Sequence, residues 1–562
     1  MLGPLFQREW TIAPRRTKLY ISRCVYTVSL LILTATAWLI LSGSQMVEDL
    51  GDLARFGNVL FGILAPLQLV LAMFFSAIFA AGNVSQEKDR NTLVLLLLTR
   101  MNNVELVLGK LGASLLHLFV NVLAAVPVFF ALLGFGGVDL TQIFRCFYIT
   151  FAAVLLCGAL GTTLAFWREQ TFQAVSMTVL CLVVWLAGCE FMPSELAEVF
   201  SPWRAILGVT QYSAAAPMFP IFALLTTFAL MAWTILRVRV WNRGENAKQG
   251  EDASEKKSEK ARSVRKPRPI WSNPILWREI RTHAYGRRAF LVRLAYVVIF
   301  VTMAAVAHTA FRGMEISAYT ETPAALGFAM KLLLPLGLLS LVLVNAQAVT
   351  SITGERDAHA IDLLLVSDLT PREIVFGKLG GIFWNTKEMV LLPQLFIGYL
   401  YAQHVVTGEI AFYLIGGLTV LFVFAAMLGI HSGMTYAGSR GAIGVSLGTL
   451  FFLFVGVAVC LRMMLALGGS FHAQLQPFLA FMAGGGVAMY LALGSRNPSS
   501  AIGLASFGCP FATFYAMSAL MMHYTLGVFL VIVVTYGFTT AAMLIPAISE
   551  FDIVSDHGGS ET

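Results

Sequence analysis

From Gly57 to Gly82 the chain runs 26 residues without a charged side chain, and comparable apolar stretches recur as far as Ile548. In lipid only a helix or a closed barrel satisfies its own backbone hydrogen bonds, and a helix needs about 20 apolar residues to cross. Barrel strands alternate apolar and polar positions, which these runs do not. They therefore predict an all-α fold, a polytopic transmembrane helical bundle. The charge content agrees: 12% of the 562 residues are charged, against about 25% in a soluble domain.

The seven cysteines (Cys24, Cys146, Cys157, Cys181, Cys189, Cys460 and Cys509) show no CxxC spacing and mostly sit in apolar runs, so packing is their expected role. The nine histidines have neither HExxH nor paired-ligand spacing, and no metal is predicted. Arg8 to Arg23 and the run after it imitate a cleavable signal, but so long a basic region reads as an uncleaved anchor.

Charge, Gly and Pro boundaries place six spans near 24–42, 57–82, 110–134, 146–166, 172–189 and 214–236, and six more near 289–311, 332–352, 379–402, 410–436, 441–461 and 525–548. Thirty of the 38 lysines and arginines then fall on one side, which the positive-inside rule makes cytoplasmic, together with the N-terminus and the central linker. The opposite side keeps mostly acids, among them Glu48, Asp52, Asp139 and Glu190. Phe478 to Leu493 is apolar but short and broken by Gly484-Gly485-Gly486, and is expected to re-enter rather than cross. A crossing there would move the acidic tail (Glu550, Asp552, Asp556, Glu561) outside.

Residues 242–270 lose all apolar periodicity and mix both charges, the signature of a flexible cytoplasmic linker. Around it the chain repeats itself in the same direction, giving domains at 1–241 and 271–562, two tandem six-span halves with pseudo-twofold symmetry. Gly3-Pro4-Leu5-Phe6-Gln7-Arg8-Glu9 parallels Asn273-Pro274-Ile275-Leu276-Trp277-Arg278-Glu279, each opening an amphipathic interfacial stretch whose Leu5, Leu19, Ile275 and Leu276 dip toward the acyl boundary. Between Glu87–Gly112 and Glu355–Gly380, eleven of 26 positions are identical, including Glu87/Glu355, Asp89/Asp357, Glu105/Glu373 and Lys110/Lys378.

Thr370-Pro371-Arg372-Glu373 is a capping box with Pro at the first helical position, and Asn102 with Glu105 can act likewise. Ahead of each cap lies a Leu-rich strip, Leu93 to Leu98 with Leu95, Leu96 and Leu97, and Ile361 to Val366 with Leu363, Leu364 and Leu365. An apolar strip on the cytoplasmic side needs a cover, from a partner's groove or from headgroups and sibling helices.

At these residues the sequence resembles the ABC-2 type transporter permeases, over nearly the whole chain and twice. The likeness lies in the elbow before the first span, the loop Gln86-Glu87-Lys88-Asp89-Arg90 or Gly354-Glu355-Arg356-Asp357, the Leu-rich strip and the following Glu-[Leu/Ile]-Val-x-Gly-Lys-Leu. The resemblance implies two permease halves fused in one chain, each with a coupling helix between spans two and three that contacts an ABC ATPase. Glu87, Asp89, Leu95, Leu96, Leu97, Glu105, Glu355, Asp357, Leu363, Leu364, Leu365 and Glu373 are the residues carried over to that coupling role. It also likens Ser201-Pro202-Trp203-Arg204-Ala205-Ile206 and Asn497-Pro498-Ser499-Ser500-Ala501-Ile502 to the extracellular hairpin before each last span, while Asp362 in place of Val94 makes the two coupling surfaces unequal.

No GxxxxGK[ST] occurs, so the chain itself is not expected to be an ATPase and holds no cofactor. The expected partners are an ABC ATPase in two copies, which would carry Mg-ATP, the lipid bilayer and, left open, an accessory subunit; no nucleic acid is expected. The function this implies is that of an exporter permease in a bacterial cytoplasmic (inner) membrane, with cargo undetermined. Lys387 and Glu388 fall about 14 Å inside the third span of the second half, at about 1.5 Å per residue beyond Lys378, where exposure to lipid is unfavourable. Each is expected to face protein or water with a partner on another helix, as part of a translocation path or as a buried pair. The rival classes are an ion-coupled secondary transporter of 6+6 spans, against which the duplicated capped strip counts, and a membrane enzyme, which no convergent acid, base or nucleophile supports.

Overall fold

The computed structural model describes residues 3–12, 17–44, 50–90, 92–211, 218–242, 271–281, 289–312, 323–357, 360–365, 369–467, 471–496, 498–522 and 524–559. Most of them lie in helices, with no strand among the described residues. Except for Asn242, the linker expected at 242–270 lies outside them.

An elbow helix α1 (Gly3–Ile12) opens the first repeat, followed by α2 (Thr17–Ser44) and α3 (Leu50–Asp89). The short α4 (Thr92–Leu98) leads into α5 (Asn103–Ala124) and α6 (Val126–Leu132), and then α7 (Leu140–Trp167) and α8 (Thr171–Glu190). Two short helices, α9 (Ser194–Phe200) and α10 (Pro202–Thr210), precede α11 (Phe219–Trp241). The second repeat follows the same order: elbow α12 (Pro274–Arg281), α13 (Ala289–Arg312), α14 (Pro323–Asp357), short α15 (Ala360–Leu365), α16 (Pro371–Asn385), α17 (Lys387–Ala402), α18 (Gly408–Thr435) and α19 (Ser439–Phe451). A π-helical turn, Phe452–Gly456, joins α19 to α20 (Val457–Leu467). Three more long helices close the chain: α21 (Phe471–Leu493), α22 (Ser500–Met521) and α23 (Thr525–Gly559).

Thirteen of these stretches are long and apolar enough to cross a membrane. The third crossing of each repeat, expected as one span, is interrupted. In the first repeat the break falls at Ala125, with Pro127 in the opening turn of α6. In the second it falls at Thr386, leaving α16 and α17 as helices of 15 and 16 residues in line. Counting that pair with them gives fourteen candidate crossings among the described residues, six before the linker and eight after it.

The second repeat thus departs from the expected six spans, and the departure is a helix pair. Residues 478–493, expected to re-enter, belong instead to the continuous α21, long and apolar enough to cross, whose C-terminal end is tied to that of α18. Tyr436 donates to the Ala492 carbonyl over 2.7 Å, and His431 Nε2 lies 2.9 Å from the Leu493 carbonyl oxygen. The Gly run does not break the helix, because in lipid an uncoiled segment leaves its peptide groups unpaired. It serves packing instead: a Cβ on Gly485 would stand 2.0 Å from the Phe452 ring, at the π-helical turn. Pro498 to Ile502 therefore lies at the linker end of the bundle rather than in a far-side hairpin, Asn497 falling outside the described residues, and Ser499 caps α22 by accepting from Ile502 N at 3.1 Å. The first-repeat counterpart lies at the opposite end of the bundle, α10 sitting there with the Val209 carbonyl accepting from Gln142 Nε2 at 3.0 Å. Because two helices are added rather than one, α23 returns toward the linker end.

Within each repeat the second and fourth crossings pack closely at one glycine. A Cβ on Gly161 would lie 2.5 Å from the Ala77 carbonyl oxygen, and one on Gly429 would lie 2.8 Å from that of Asn345. Small residues at such points let helices gain the van der Waals contact that holds them together in lipid. Between repeats, Phe74 and Phe75 of α3 stand 5.5 and 6.4 Å from Phe451 of α19, while α8 packs on α13 and α14. The added α21 covers α2, so the two flanks of the molecule differ.

Candidate functional site

The sequence repeat at Glu87-Lys88-Asp89 and Glu355-Arg356-Asp357 becomes one structural device made twice. Glu87 pairs with Lys110 of α5, and Glu355 pairs with Lys378 of α16 at 2.6 Å. Lys88 donates to the Phe166 and Arg168 carbonyls where α7 ends, and Arg356 donates to the Tyr436 carbonyl where α18 ends. These carbonyls have no partner within their own helix, so a cation there satisfies them and favours the negative end of the helix dipole. Asp89 accepts from Thr171, the first residue of α8, and Asp357 from Ser439, the first residue of α19. Every pair in the second repeat is displaced from its counterpart by the interval that separates Glu87 from Glu355. Three consecutive side chains at the end of the second crossing thus hold the third, fourth and fifth.

The elbows are seated equivalently. Phe6 lies over Gly112, and Leu276 over Gly380. The second elbow, α12, also carries a buried charge, Glu279, whose Oε1 meets Lys378 Nζ at 2.6 Å with both side chains 2% exposed. Such a pair needs its partners in place, since each ion alone would be strongly destabilising.

The caps form as the sequence predicts. Thr370 N donates to Glu373 Oε2 at 3.0 Å and Thr370 Oγ1 accepts from Glu373 N at 3.3 Å, with Pro371 opening α16. Asn102 N donates to Glu105 Oε2 at 3.3 Å.

Of the residues carried over to coupling, Glu87, Asp89, Glu355 and Asp357 point into these internal bonds, and Glu105 and Glu373 serve caps. What α4 presents outward is apolar: Val94, Leu95 and Leu98 are 45%, 64% and 78% exposed. Leu93 is buried, and Leu96 and Leu97 are half-buried against the core. In α15 Leu364 is half-buried, while the side chains of Asp362, Leu363 and Leu365 lie outside the described ones.

One bond ties the repeats together here. Arg90 donates to Asp357 Oδ1 from Nη2 at 2.9 Å and Nε at 3.1 Å, on a carboxylate only 2% exposed. The equivalent position in the second repeat is Ala358, so the tie runs one way. Beside it a cavity of about 280 Å³ lies between the repeats.

Residues 44–276 match the family model of the ABC-2 family transporter proteins. No curated relative matches the chain. The ABC-2 match takes in the clamp at Glu87–Asp89, the exposed ridge of α4 and the cap at Asn102, while the corresponding residues of α14 to α16 lie beyond it.

Lys387 and Glu388 flank the break at Thr386. Glu388 has the partner on another helix that was expected, Arg293 of α13 at 3.6 Å, and Arg293 also donates to Asn385 at 3.3 Å. Lys387 instead lies over the Trp384 ring, 4.4 Å from its centroid, a cation–π contact within its own segment. Sequence reasoning missed Arg90, Thr171 and Ser439. The last two could have been found by extending the repeat offset to the start of the fifth crossing.

Proposed function

We propose that the chain is the membrane subunit of an ABC transporter, with both permease halves fused and energy supplied by a separate ATPase. The observation that carries this reading is the exposed Val94, Leu95 and Leu98 ridge, within the stretch that matches the ABC-2 family. Three large apolar side chains beyond the end of a crossing, among charged residues, form a surface that a partner groove would cover. The reading places this end, the linker and the N-terminus in the cytoplasm, as the Lys/Arg distribution suggests. It takes the complex as an exporter of a bacterial inner membrane, with one ATPase copy on α4, a second on α15, and Mg-ATP held by the ATPases.

The clamps then have a mechanical role. A force applied at α4 reaches the end of α3, and through Glu87, Lys88 and Asp89 it passes to α5, α7 and α8 together. ATP-driven closure would tilt whole repeats against each other at the α3–α19 and α8–α14 contacts, the rigid-body class of transition. Lys387 and Glu388 are offered to the path only at the break in the third crossing.

The test is co-purification of an ATPase with the full chain, and vanadate-sensitive turnover in proteoliposomes. Retention by the wild type and loss in Leu95→Asp/Leu98→Asp would support the proposal. Transport by the chain alone, driven by an ion gradient and indifferent to vanadate, would overturn it in favour of a secondary transporter.

A further inference from the structure

The cavity between the repeats is chemically one-sided. Asp89 lines it from the first repeat, and Glu279 and Glu355 line it from the second, while no lysine or arginine does among the described residues. The cations paired with Glu279 and Glu355, Lys378 and Arg278, are not among its walls. On these two carboxylates both cations meet the Oε1 atoms. Glu279 Oε2 is left buried with no hydrogen-bond partner among the described residues, on a side chain 2% exposed. A buried carboxylate oxygen without a donor is a standing free-energy penalty that a ligand with an N–H or a positive charge would relieve.

The rest of the wall suits the apolar part of such a ligand. Phe172 presents a ring, and Gly354 and Ala360 present almost no side chain. Helical spacing also puts Gln347 on the face of α14 that carries Thr350, Ser351 and Gly354, one turn deeper. Its side chain is fully buried, with neither amide atom hydrogen-bonded among the described residues.

We propose that this cavity is a binding site for a small monovalent organic cation, an amine or quaternary ammonium, with Gln347 the next polar group inward. Taking that cation as cargo rests on the transporter reading; its binding does not.

The test uses the full-length chain in detergent, in a Cys24→Ser background, with Ala360→Cys as the reporter. Ala360 is half-buried on the cavity wall and the change is small. Modification rates are measured with a cationic trimethylammonium-ethyl and an anionic sulfonatoethyl methanethiosulfonate, normalised to free cysteine and corrected with the Cys24→Ser parent. A cleft walled by one sign of charge enriches the opposite ion by about tenfold or more, and that preference for the cationic reagent is the expected result. Glu279→Gln should bring the ratio toward unity, and tetraethylammonium should protect the thiol where sulfonate ions do not. Should Glu279→Gln fail to fold, Asp89→Asn, which keeps an acceptor for Thr171, carries the same test. Equal rates, an anionic preference, or a thiol unreactive to both would overturn the proposal. ATPase retention is scored on the same preparations: retention with equal rates removes only the cation site, whereas a cationic preference without any ATPase removes only the exporter reading.

Discussion

Replacing Lys378 by methionine should harm the fold more than the same change at its counterpart Lys110. Lys378 stands between Glu279 and Glu355 at 2.6 Å from each, and Glu279 is 2% exposed. Removing one member of so buried a set leaves an uncompensated charge, at a cost of about 3–5 kcal/mol. Glu279 would keep only Arg278, at 3.5 Å. Among the described residues Lys110 pairs with one carboxylate, Glu87, on a side chain 24% exposed, so its loss should cost less, about 1.5–3 kcal/mol, in the range of a hydrogen bond to a charged group. The assay is SDS-induced unfolding in mixed micelles followed by circular dichroism, comparing midpoints for Lys378→Met, Lys110→Met and Lys378→Met/Glu279→Gln. The expected order puts Lys378→Met lowest, with the double variant partly restored because its orphaned carboxylate is gone. Equal midpoints for the two single variants, or no recovery in the double, would refute the account of α12 as a charged strut.

Gly161→Leu and Gly429→Leu should each lower thermal stability by about 1–3 kcal/mol through overpacking, while Gly537→Leu, with nothing within 4 Å of its Cβ position, should be silent in the same melt. A cysteine at Ser495 should react with an impermeant maleimide from the face that labels the linker, and one at Met522 from the other face; same-side labelling would dismiss α21 and α22 as crossings. Leu95→Asp/Leu98→Asp should leave the melting temperature within about the ±0.5 kcal/mol equivalent of a surface change. A large drop would mean that the ridge belongs to the core.

The sequence exposes the repeat plainly, because the residues that carry it are charges and glycines in fixed spacing amid leucine. It also shows the caps and the apolar strip, which depend on local chemistry alone. It misleads where tertiary packing decides. Gly484 to Gly486 reads as a breaker, yet the Phe452 ring fills the space that a side chain would take. Residues 500–521, with Ser500, Ser506, Thr513 and Pro510, look too polar to cross, but Ser506 and Thr513 hand their hydroxyls back to carbonyls of their own helix, at 2.7 Å each. The acidic loop residues look like a surface for a partner because nothing local reveals that Lys110, Thr171 and Ser439, far along the chain, consume them. The break at Thr386 has no warning proline.

Three neighbouring side chains fastening three helices have a consequence for how the molecule can move. A lever bolted at one end to all its neighbours cannot swing by itself; it carries the frame with it. Flexing is thereby driven out of each repeat and into the seam, where beside the Arg90–Asp357 strap α3 meets α19 through the rings of Phe74, Phe75 and Phe451, surfaces that can slide.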